Sequence, residues 1–205
     1  MIVHQSPITM PEWAEEPQIS IENGWALAKS YKSDPASGVG LVDLSHRPKA
    51  IVCGPATETL GQLYPGQAKW TGEIFICCRK PGERIIFDIT GNLGRTWPDK
   101  YYTDLRDAWG LFALIGQRTE DLLKRLIPID FEKPDVKNPS YAVVRCHGIW
   151  VQLLDPKASL PGIMLACERS HCQNLVDGLF RHGRHLGLQP TGLRSFEEWL
   201  SNYQA

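Results

Sequence analysis

A serine and a histidine stand side by side where a short apolar run ends. Ser45 and His46 follow the run 39–44, and Arg47 comes directly after them. The imidazole of histidine titrates near neutral pH, so His46 is a candidate general base. A Ser-His pair at the end of a strand also stabilises a turn without any catalytic role. The sequence leaves both interpretations open.

Cysteine and histidine recur in the last third of the chain and raise the question of a zinc site. Neighbours on a strand point to opposite faces, so Cys146 and His147 do not converge on one ion. On a single helix, His171 and His182 stand about 16 Å apart at 1.5 Å per residue. The sequence has no Cys-x-x-Cys pair. Because zinc sites need such convergence, we predict no metal site.

The cysteine content also bears on the cellular compartment. Six cysteines fall at irregular spacings, and the first sixteen residues hold three carboxylates and no apolar run typical of a signal peptide. We therefore expect reduced thiols and a cytoplasmic protein. Cys77 and Cys78 are adjacent within a predicted strand, which predicts one buried and one exposed thiol. A vicinal redox disulfide is the alternative.

Both strands and helices are predicted to position these residues. Apolar and alternating runs predict strands at 39–44, 50–53, 71–79, 84–89, 111–115, 142–146, 149–154 and 162–167. Helices are predicted at 22–31, 55–63, 120–126 and 171–186, with a short terminal helix beginning at Ser195. Thr119 and Ser195 are the predicted N-caps of their helices. This pattern predicts an α+β fold.

Three segments are expected along the chain. Residues 1–18 predict an extended arm, because Pro7, Pro11 and Pro17 prevent a long helix. The arm's apolar residues have no periodicity and are expected to lie against the domain or a partner chain. Two halves of similar design are predicted to follow the arm, at residues 19–110 and 111–205.

Composition excludes several classes of partner. The chain has 205 residues, of which 42% are hydrophobic and 22% charged, as in globular proteins. Twenty-two basic and twenty-three acidic residues give a net charge of −1, so we expect no general attraction to nucleic acid or anionic membranes. No run approaches the roughly 20 apolar residues of a membrane span.

Three further segments follow one another in a fixed order: GVGLVDLSH at 38–46 with residues 49–55 after it, WGLFALIGQRTEDLLKRL at 109–126, and residues 174–193, which end in HLGLQPTGL. In order and spacing they resemble the glycine-cleavage aminomethyltransferase (T-protein) family, over roughly residues 38–200. The resemblance implies a T-protein-like folate-binding fold with two β-α-β-type halves and antiparallel sheets. It also implies that the family's third domain, a C-terminal barrel, is lacking here.

The resemblance implies a folate pocket with six residues of this chain: Ser45, His46, Arg47, Trp70, Thr90 and Asn92. Ser45 and His46 match the family's Ser-His pair beside the pocket mouth. Arg47 is suited to a glutamyl carboxylate of the folate. Trp70 is the implied stacking surface for a pterin or aminobenzoyl ring. Thr90 stands where the family has a strand-end asparagine, and Asn92 lies two residues on.

Two departures from the family pattern concern its chemistry. The turn 79–83 has no aspartate at the family's catalytic position, and Met164 stands where the family has its pterin-holding glutamate. Aminomethyl transfer by this chain alone is therefore not expected.

A shortened T-protein-like chain resembles the small subunits of complexes that oxidatively demethylate amines, namely dimethylamine monooxygenase and heterotetrameric sarcosine oxidase (its gamma subunit). The resemblance implies a tetrahydrofolate-binding subunit that helps capture released formaldehyde as 5,10-methylene-tetrahydrofolate. The implied partners are larger catalytic oxidoreductase subunits, with no haem, flavin or metal on this chain. The alternatives are a non-catalytic scaffold subunit and a free-standing folate-dependent regulatory protein.

Overall fold

The computed structural model describes residues 4–32, 38–91, 101–128, 140–156 and 161–204, with side chains up to 201. Asn92, one of the predicted site residues, lies outside these ranges. The described strands are β1 Gln18–Glu22, β2 Trp25–Ser30, β3 Val39–Asp43, β4 Lys49–Cys53, β5 Ala68–Trp70, β6 Ile74–Lys80, β7 Glu83–Asp88, β8 Tyr102–Asp104, β9 Trp109–Ile115, β10 Ser140–Cys146, β11 Ile149–Asp155, β12 Gly162–Glu168 and β13 Leu188–Pro190. The described helices are α1 Ala56–Thr59, α2 Thr119–Leu126, α3 Cys172–Gly183 and α4 Leu193–Gln204.

Two large open sheets organise the described residues. Strands β10-β11-β12-β9-β3-β13 form a six-stranded sheet, and strands β5-β6-β7-β4-β8 form a five-stranded sheet. All of their strand pairs are antiparallel except β13 with β3. The predicted α+β class and antiparallel sheets are confirmed, and neither sheet closes into a barrel within the described ranges. The predicted division near residue 110 stays a prediction.

Alternation along β9 assigns the two faces of the six-stranded sheet to two apolar cores. Phe112 and Leu114 pack with residues of α2 and α3 in one core, which we call the outer core. Leu111 and Ala113 lie in the core between the two sheets, with α4, which we call the inner core. Each fully buried leucine or phenylalanine in these cores stabilises the fold by about 1.5–3 kcal/mol.

The predicted helix at 22–31 is wrong, because this segment forms the β1–β2 hairpin. Asn23 and Gly24 have φ values of 52° and 82°, the positive values that a two-residue type I′ hairpin turn requires. Trp25 and Leu27 are buried in the inner core, whereas Ile19 and Ile21 are 63% and 59% exposed.

Helix ends differ from the predictions at four places. Helix α3 covers Cys172–Gly183 of the predicted 171–186, and a short 3-10 helix, Arg184–Leu186, follows it. Helix α1 covers only Ala56–Thr59 of the predicted 55–63, and Gly61 follows with φ +91°. Thr119 is the first residue of α2, and its hydroxyl donates to the Gly116 carbonyl at 2.8 Å instead of capping a helix N–H group. Helix α4 begins two residues before Ser195, so Ser195 does not occupy the N-cap.

Described residues of the N-terminal arm lie against the domain itself, one of the two expected locations. Ile8 is 9% exposed and belongs to the outer core. The Thr9 amide donates to Gln173 Oε1 at 2.8 Å, which ties the arm to α3. Trp13 meets the Phe180 ring edge-on, with 5.4 Å between ring centroids. No helix among the described residues has the length and apolar character to cross a membrane.

Candidate functional site

The turn 44–48 carries the chain from the six-stranded sheet to the five-stranded sheet. Ser45 anchors this turn, because its amide donates to Asp43 Oδ1 at 2.9 Å. The Ser45 hydroxyl accepts from the Leu111 amide at 3.2 Å and donates to the Leu111 carbonyl at 3.4 Å. Ser45 is 1% exposed. Its hydroxyl therefore joins the turn to β9 and does not face a ligand.

A buried lysine also stabilises this turn. The Lys49 side chain is fully buried, and its Nζ donates to the carbonyls of Ser45 and Arg47, both at 2.9 Å. Burial lowers the pKa of Lys49 to about 8, while the nearby Asp43 carboxylate opposes that shift. Lys49 thus keeps its charge at neutral pH and fixes the backbone around His46.

His46 is a neutral imidazole at physiological pH. Burial lowers the pKa of His46 to about 3, and the cations Arg47, Lys49 and Lys29 lower it further in the same direction. A general base works best with a pKa near the operating pH, and His46 lies far below it. The structure favours the turn-stabilising interpretation over the catalytic one.

Arg47 extends from this turn across the end of β7. Its Nη1 donates to the Thr90 carbonyl, and its Nη2 lies 3.6 Å from Glu197 Oε1. Burial lowers the pKa of Arg47, opposed by the Glu197 and Asp88 carboxylates. Gly91 has φ +78°, and a side chain there would overlap Arg47 Nη1. The glycine therefore makes room for the guanidinium.

A cavity of about 160 Å³ opens beside this arginine. We call it the cationic cavity; its lining residues are Glu22, Asn23, Trp25, His46, Arg47, Pro48, Gly91 and Arg106. Arg106 Nη2 lies 3.7 Å from Asp104 Oδ2, and the side chains of Arg47 and Arg106 are 12% and 14% exposed.

The two arginines of the cationic cavity have unused donors. Arg47 Nε, Arg106 Nε and Arg106 Nη2 are buried and have no hydrogen-bond partner among the described residues. An unsatisfied buried donor costs about 1–3 kcal/mol, and more when it is charged. A carboxylate matches the planar fork of a guanidinium and accepts several such hydrogen bonds. The cavity is therefore suited to an anionic group.

The predicted site residues are only partly brought together. Ser45, His46 and Arg47 lie on one turn, and Thr90 reaches Arg47 through its carbonyl. Trp70 lies on β5, at the edge of the five-stranded sheet, with its ring 4.5 Å from that of Phe75. Strand order places β5 three strands from β4, which is about 14 Å. Trp70 does not line the cationic cavity.

Sequence reasoning missed six of the eight lining residues of the cationic cavity, Trp25 and Arg106 among them. Trp25 stands after the Asn23-Gly24 turn, and recognising that hairpin signal would have placed Glu22 and Trp25 together. Arg106 approaches from the segment between β8 and β9, and no local pattern connects it to Arg47.

The position that the family resemblance assigns to the pterin-holding glutamate is filled by a core side chain. Met164 lies on β12, is fully buried and belongs to the inner core. An apolar side chain packed in this way contributes to stability and offers no hydrogen bond to a ligand.

A second concavity, of about 490 Å³, lies at the border of the inner core. We call it the tryptophan groove; its lining includes Arg79, Trp109, Val143, Trp150, Gln152 and Glu168. Trp109 packs against the inner core, whereas Trp150 is 58% exposed. The tryptophan groove and the cationic cavity share no lining residue.

The cysteines are reduced, and five of the six are buried. Cys77 and Cys78 are both fully buried, so the prediction of one exposed thiol is wrong. Cys77 lies in the inner core, while Cys78 Sγ lies on the other face and accepts from Arg84 Nη1 at 3.1 Å. Within the described ranges, no group of three or more His, Cys, Asp or Glu residues is arranged to hold a metal ion.

No protein-family model and no curated protein sequence matches this chain. Solved structures that resemble it in fold include the following two. One is the heterotetrameric sarcosine oxidase from Corynebacterium sp. U-96 in complex with pyrrole 2-carboxylate, with a TM-score of 0.58 and 15% identity, covering 72% of this chain and 85% of that chain. The other is glycine cleavage system aminomethyltransferase T from Bartonella henselae, with a TM-score of 0.59 and 14% identity, covering 87% of this chain. This chain spans 56% of the length of the aminomethyltransferase chain. These likenesses confirm the predicted T-protein-like fold.

Proposed function

We propose that this chain is the tetrahydrofolate-binding small subunit of a cytoplasmic, multi-subunit oxidoreductase that demethylates amines. The observation that carries the proposal is the pair of guanidiniums in the cationic cavity, with buried donors that the described residues leave unused. Folates end in a glutamate, whose carboxylates are suitable partners for Arg47 and Arg106. The fold likeness to an aminomethyltransferase and to a sarcosine oxidase chain supports the same class of function.

The residues present fit one end of a folate. A cavity of about 160 Å³ accommodates a carboxylate-bearing tail and not a whole folate, so the pterin end lies outside it. Trp70 stays the predicted stacking surface for that end. When bound, tetrahydrofolate supplies the amine nitrogens that take up formaldehyde, and proximity to a demethylating subunit raises the effective concentration of formaldehyde there. We propose larger catalytic subunits, as in a dimethylamine monooxygenase, as the partners.

Calorimetric titration of the purified chain with tetrahydrofolate, under reducing conditions and at physiological salt, tests this proposal. We expect saturable binding in the micromolar range. Arg47→Gln and Arg106→Gln should each weaken it about tenfold, because a charge-assisted hydrogen bond contributes about 1.5–3 kcal/mol. Trp70→Ala in the same titration tests the stacking surface, with a loss of about 1–3 kcal/mol expected.

Two controls make the result specific. Arg118→Gln removes an exposed arginine that pairs with Asp121 at 3.1 Å on α2, and it should leave the affinity unchanged. 6-Methyltetrahydropterin, which carries no carboxylate, should bind equally to the wild type and to Arg47→Gln. Absence of tetrahydrofolate binding to the chain and to the complex purified with its partners would refute the proposal.

The scaffold alternative is favoured by a different observation. Met164 is a core residue, so the family's pterin-holding contact is absent here. The β1–β2 hairpin exposes Ile19 and Ile21, which alternate onto one face of the strand and offer an apolar contact to a partner subunit. In this role the chain holds catalytic subunits together, as proposed for a sarcosine oxidase gamma subunit.

The variant Ile19→Lys/Ile21→Lys distinguishes the two roles. A scaffold that contacts its partners through this hairpin loses assembly with them in size-exclusion chromatography, while the isolated variant keeps the wild-type melting temperature. Deleting the arm before Gln18 would be a poorer test, because Ile8 of the arm is part of the outer core and its loss would also destabilise the fold. Unchanged assembly of the double variant would exclude the hairpin as the contact.

A further inference from the structure

Two thiols are in direct contact where β12 ends and α3 begins. The Sγ atoms of Cys167 and Cys172 are 3.6 Å apart, within hydrogen-bond distance for sulfur. Cys167 is the penultimate residue of β12, and Cys172 is the first residue of α3. The segment between them contains one short 3-10 turn, Arg169–His171. Strand, turn and helix therefore hold the two sulfurs against each other.

Gly110 leaves the space that the Cys172 sulfur occupies. This glycine lies opposite Cys167 in the pairing of β9 with β12. A side chain at position 110 would overlap Cys172 Sγ. The missing side chain at 110 therefore allows α3 to place its first sulfur against the end of β12.

The two thiols differ in acidity. A hydrogen bond from the Cys167 thiol lowers the pKa of Cys172, and the Gly110 amide and Arg169 act in the same direction, against burial and Asp43. The N-terminus of α3 also favours an anion at this position. The same hydrogen bond, together with burial, raises the pKa of Cys167. Cys172 is therefore the thiol of the pair that more readily becomes a nucleophilic thiolate.

The other cysteines are arranged differently. Cys77 and Cys78 alternate onto opposite faces of β6, so their sulfurs point apart. Burial raises the pKa of Cys146 to about 11, which keeps this thiol protonated at neutral pH. Cys53 is exposed. A disulfide within the folded chain is therefore expected at Cys167 and Cys172.

The tryptophan groove brings solvent close to this pair. Cys167, Glu168 and His171 are among the lining residues of the groove. The pairing of β11 with β12 reaches only to Gln152 and Ala166, one residue before Cys167. The two thiols themselves are buried, so a reagent reaches them through small openings of the groove wall. Hydrogen peroxide is little larger than water and suits this route, whereas an aromatic disulfide reagent is too bulky.

We infer that Cys167 and Cys172 form a redox-active pair, which hydrogen peroxide oxidises to a disulfide. The Cys172 thiolate attacks one peroxide oxygen and becomes a sulfenic acid, while the other oxygen leaves as hydroxide and takes up a proton to form water. The Cys167 thiol then displaces the sulfenic oxygen, which leaves as a second water as the S–S bond forms. The two sulfurs must approach each other by about 1.5 Å for this bond.

The disulfide is reversible and lies apart from the proposed folate site. A small thiol such as glutathione reduces it by thiol–disulfide exchange, and transient disulfides of this kind occur in cytosolic proteins. Neither cysteine lines the cationic cavity, so the inference does not rest on folate binding. The bond closes around Arg169, whose Nη2 donates to the Gln5 carbonyl of the N-terminal arm at 2.8 Å.

Peptide mapping of the full-length Cys53→Ser variant tests the inference. This substitution removes the exposed thiol, which can otherwise join two chains. The folded variant is treated with hydrogen peroxide, its remaining thiols are alkylated, and trypsin digests it without reduction. Cleavage after Arg169 separates Cys167 and Cys172 onto peptides 158–169 and 170–181, while Cys146 lies on peptide 146–157.

We expect peptides 158–169 and 170–181 to be joined by a disulfide and to separate on addition of dithiothreitol. This joined pair should be about tenfold or more in excess over any pair that includes peptide 146–157, which serves as an internal control. The mapping changes neither Cys167 nor Cys172, so its result does not depend on how substitutions of these buried residues fold.

Two further substitutions, each in the Cys53→Ser chain, assign the roles of the two thiols. In Cys167→Ser the reaction stops at the sulfenic acid of Cys172, which dimedone labels on peptide 170–181. In Cys172→Ser we expect at least about fivefold less dimedone label on Cys167. Both variants are compared at equal circular dichroism.

Each contrary result overturns the inference in a defined way. Peptides 158–169 and 170–181 that stay separate after peroxide treatment of the folded chain exclude a redox-active pair. A disulfide that includes Cys146, or one that forms only in urea, also excludes it, because neither reflects the contact in the folded chain. Equal dimedone labelling of the two serine variants overturns the assignment of Cys172 as the attacking thiol.

Discussion

The neutral state of His46 couples the stability of the fold to pH. Its pKa in the folded chain is about 3, below the ordinary value of 6.5. Between these two values the unfolded chain binds a proton that the folded chain does not, so acid favours unfolding. The effect is absent above pH 6.5 and grows as the pH falls toward 3.

We expect His46→Gln to remove this pH dependence. Between pH 7 and pH 5, the free energy of unfolding of the wild type should fall by about 1–2 kcal/mol more than that of the variant. Urea unfolding at the two pH values measures the difference. An equal fall in the free energy of unfolding of the wild type and of the variant would contradict this prediction.

Gly91 gives a second prediction at the scale of one residue. Gly91→Ala and Gly72→Ala both place a side chain at positive φ, which costs about 1 kcal/mol or more of stability. Only the side chain at 91 meets Arg47, since nothing lies within 4 Å of a Cβ at 72. Gly91→Ala should therefore weaken tetrahydrofolate binding severalfold in calorimetry, while Gly72→Ala leaves it unchanged. Equal affinities of the two variants would contradict the role of Gly91.

At the scale of elements, the N-terminal arm is part of the folded domain, although its described residues before Gln18 form no helix or strand. Ile8 lies in the outer core, and Gln173 of α3 bonds the Thr9 backbone in both directions, at 2.8 and 3.2 Å. The arm therefore contributes to stability in the way that a packed helix does.

We expect Ile8→Ala to lower the free energy of unfolding by about 2–4 kcal/mol, because it leaves a cavity in the outer core. The matched variant Ile21→Ala, at a side chain that is 59% exposed, should change it by no more than about 0.5 kcal/mol. Denaturant titration of both variants provides the comparison. Similar small losses would mean that the arm does not pack as described.

Strands and helices were predictable where one local signal dominated. The continuous apolar runs of β9 and β12 and the helical spacing of α3 agree with the structure. The β1–β2 hairpin was missed because its alternating residues were weighed as a helix, although Asn23-Gly24 is a strong turn signal. In the candidate site, His46 and Arg47 lie in one contiguous motif and could be singled out from it. Arg106 could not, because only the pairing of β8 with β4 brings it near the cavity.

At the scale of the whole molecule, burial determines which thiols can react with oxidants. Cys53 is exposed, while the other five cysteines are buried in the two cores or against Arg84. Burial raises the pKa of Cys77 and of Cys146, the latter to about 11, so these thiols are protonated and unreactive at neutral pH.

We expect one thiol to react quickly with a chromogenic disulfide reagent in the native chain, and Cys53→Ser to abolish that fast phase. The remaining thiols should react at the rate of unfolding and become fast in denaturant. More than one fast thiol in the native wild type would show that a core opens locally.

The position of β3 has a consequence for synthesis. This strand lies between β9 and β13, and its partner β13 follows it by about 150 residues. Until β13 has been synthesised, one edge of β3 has no partner and presents free backbone groups. The six-stranded sheet is therefore completed only after β13 has emerged from the ribosome, and contacts of such long sequence separation form slowly. A nascent chain of this kind is a natural client for chaperones that cover open strand edges.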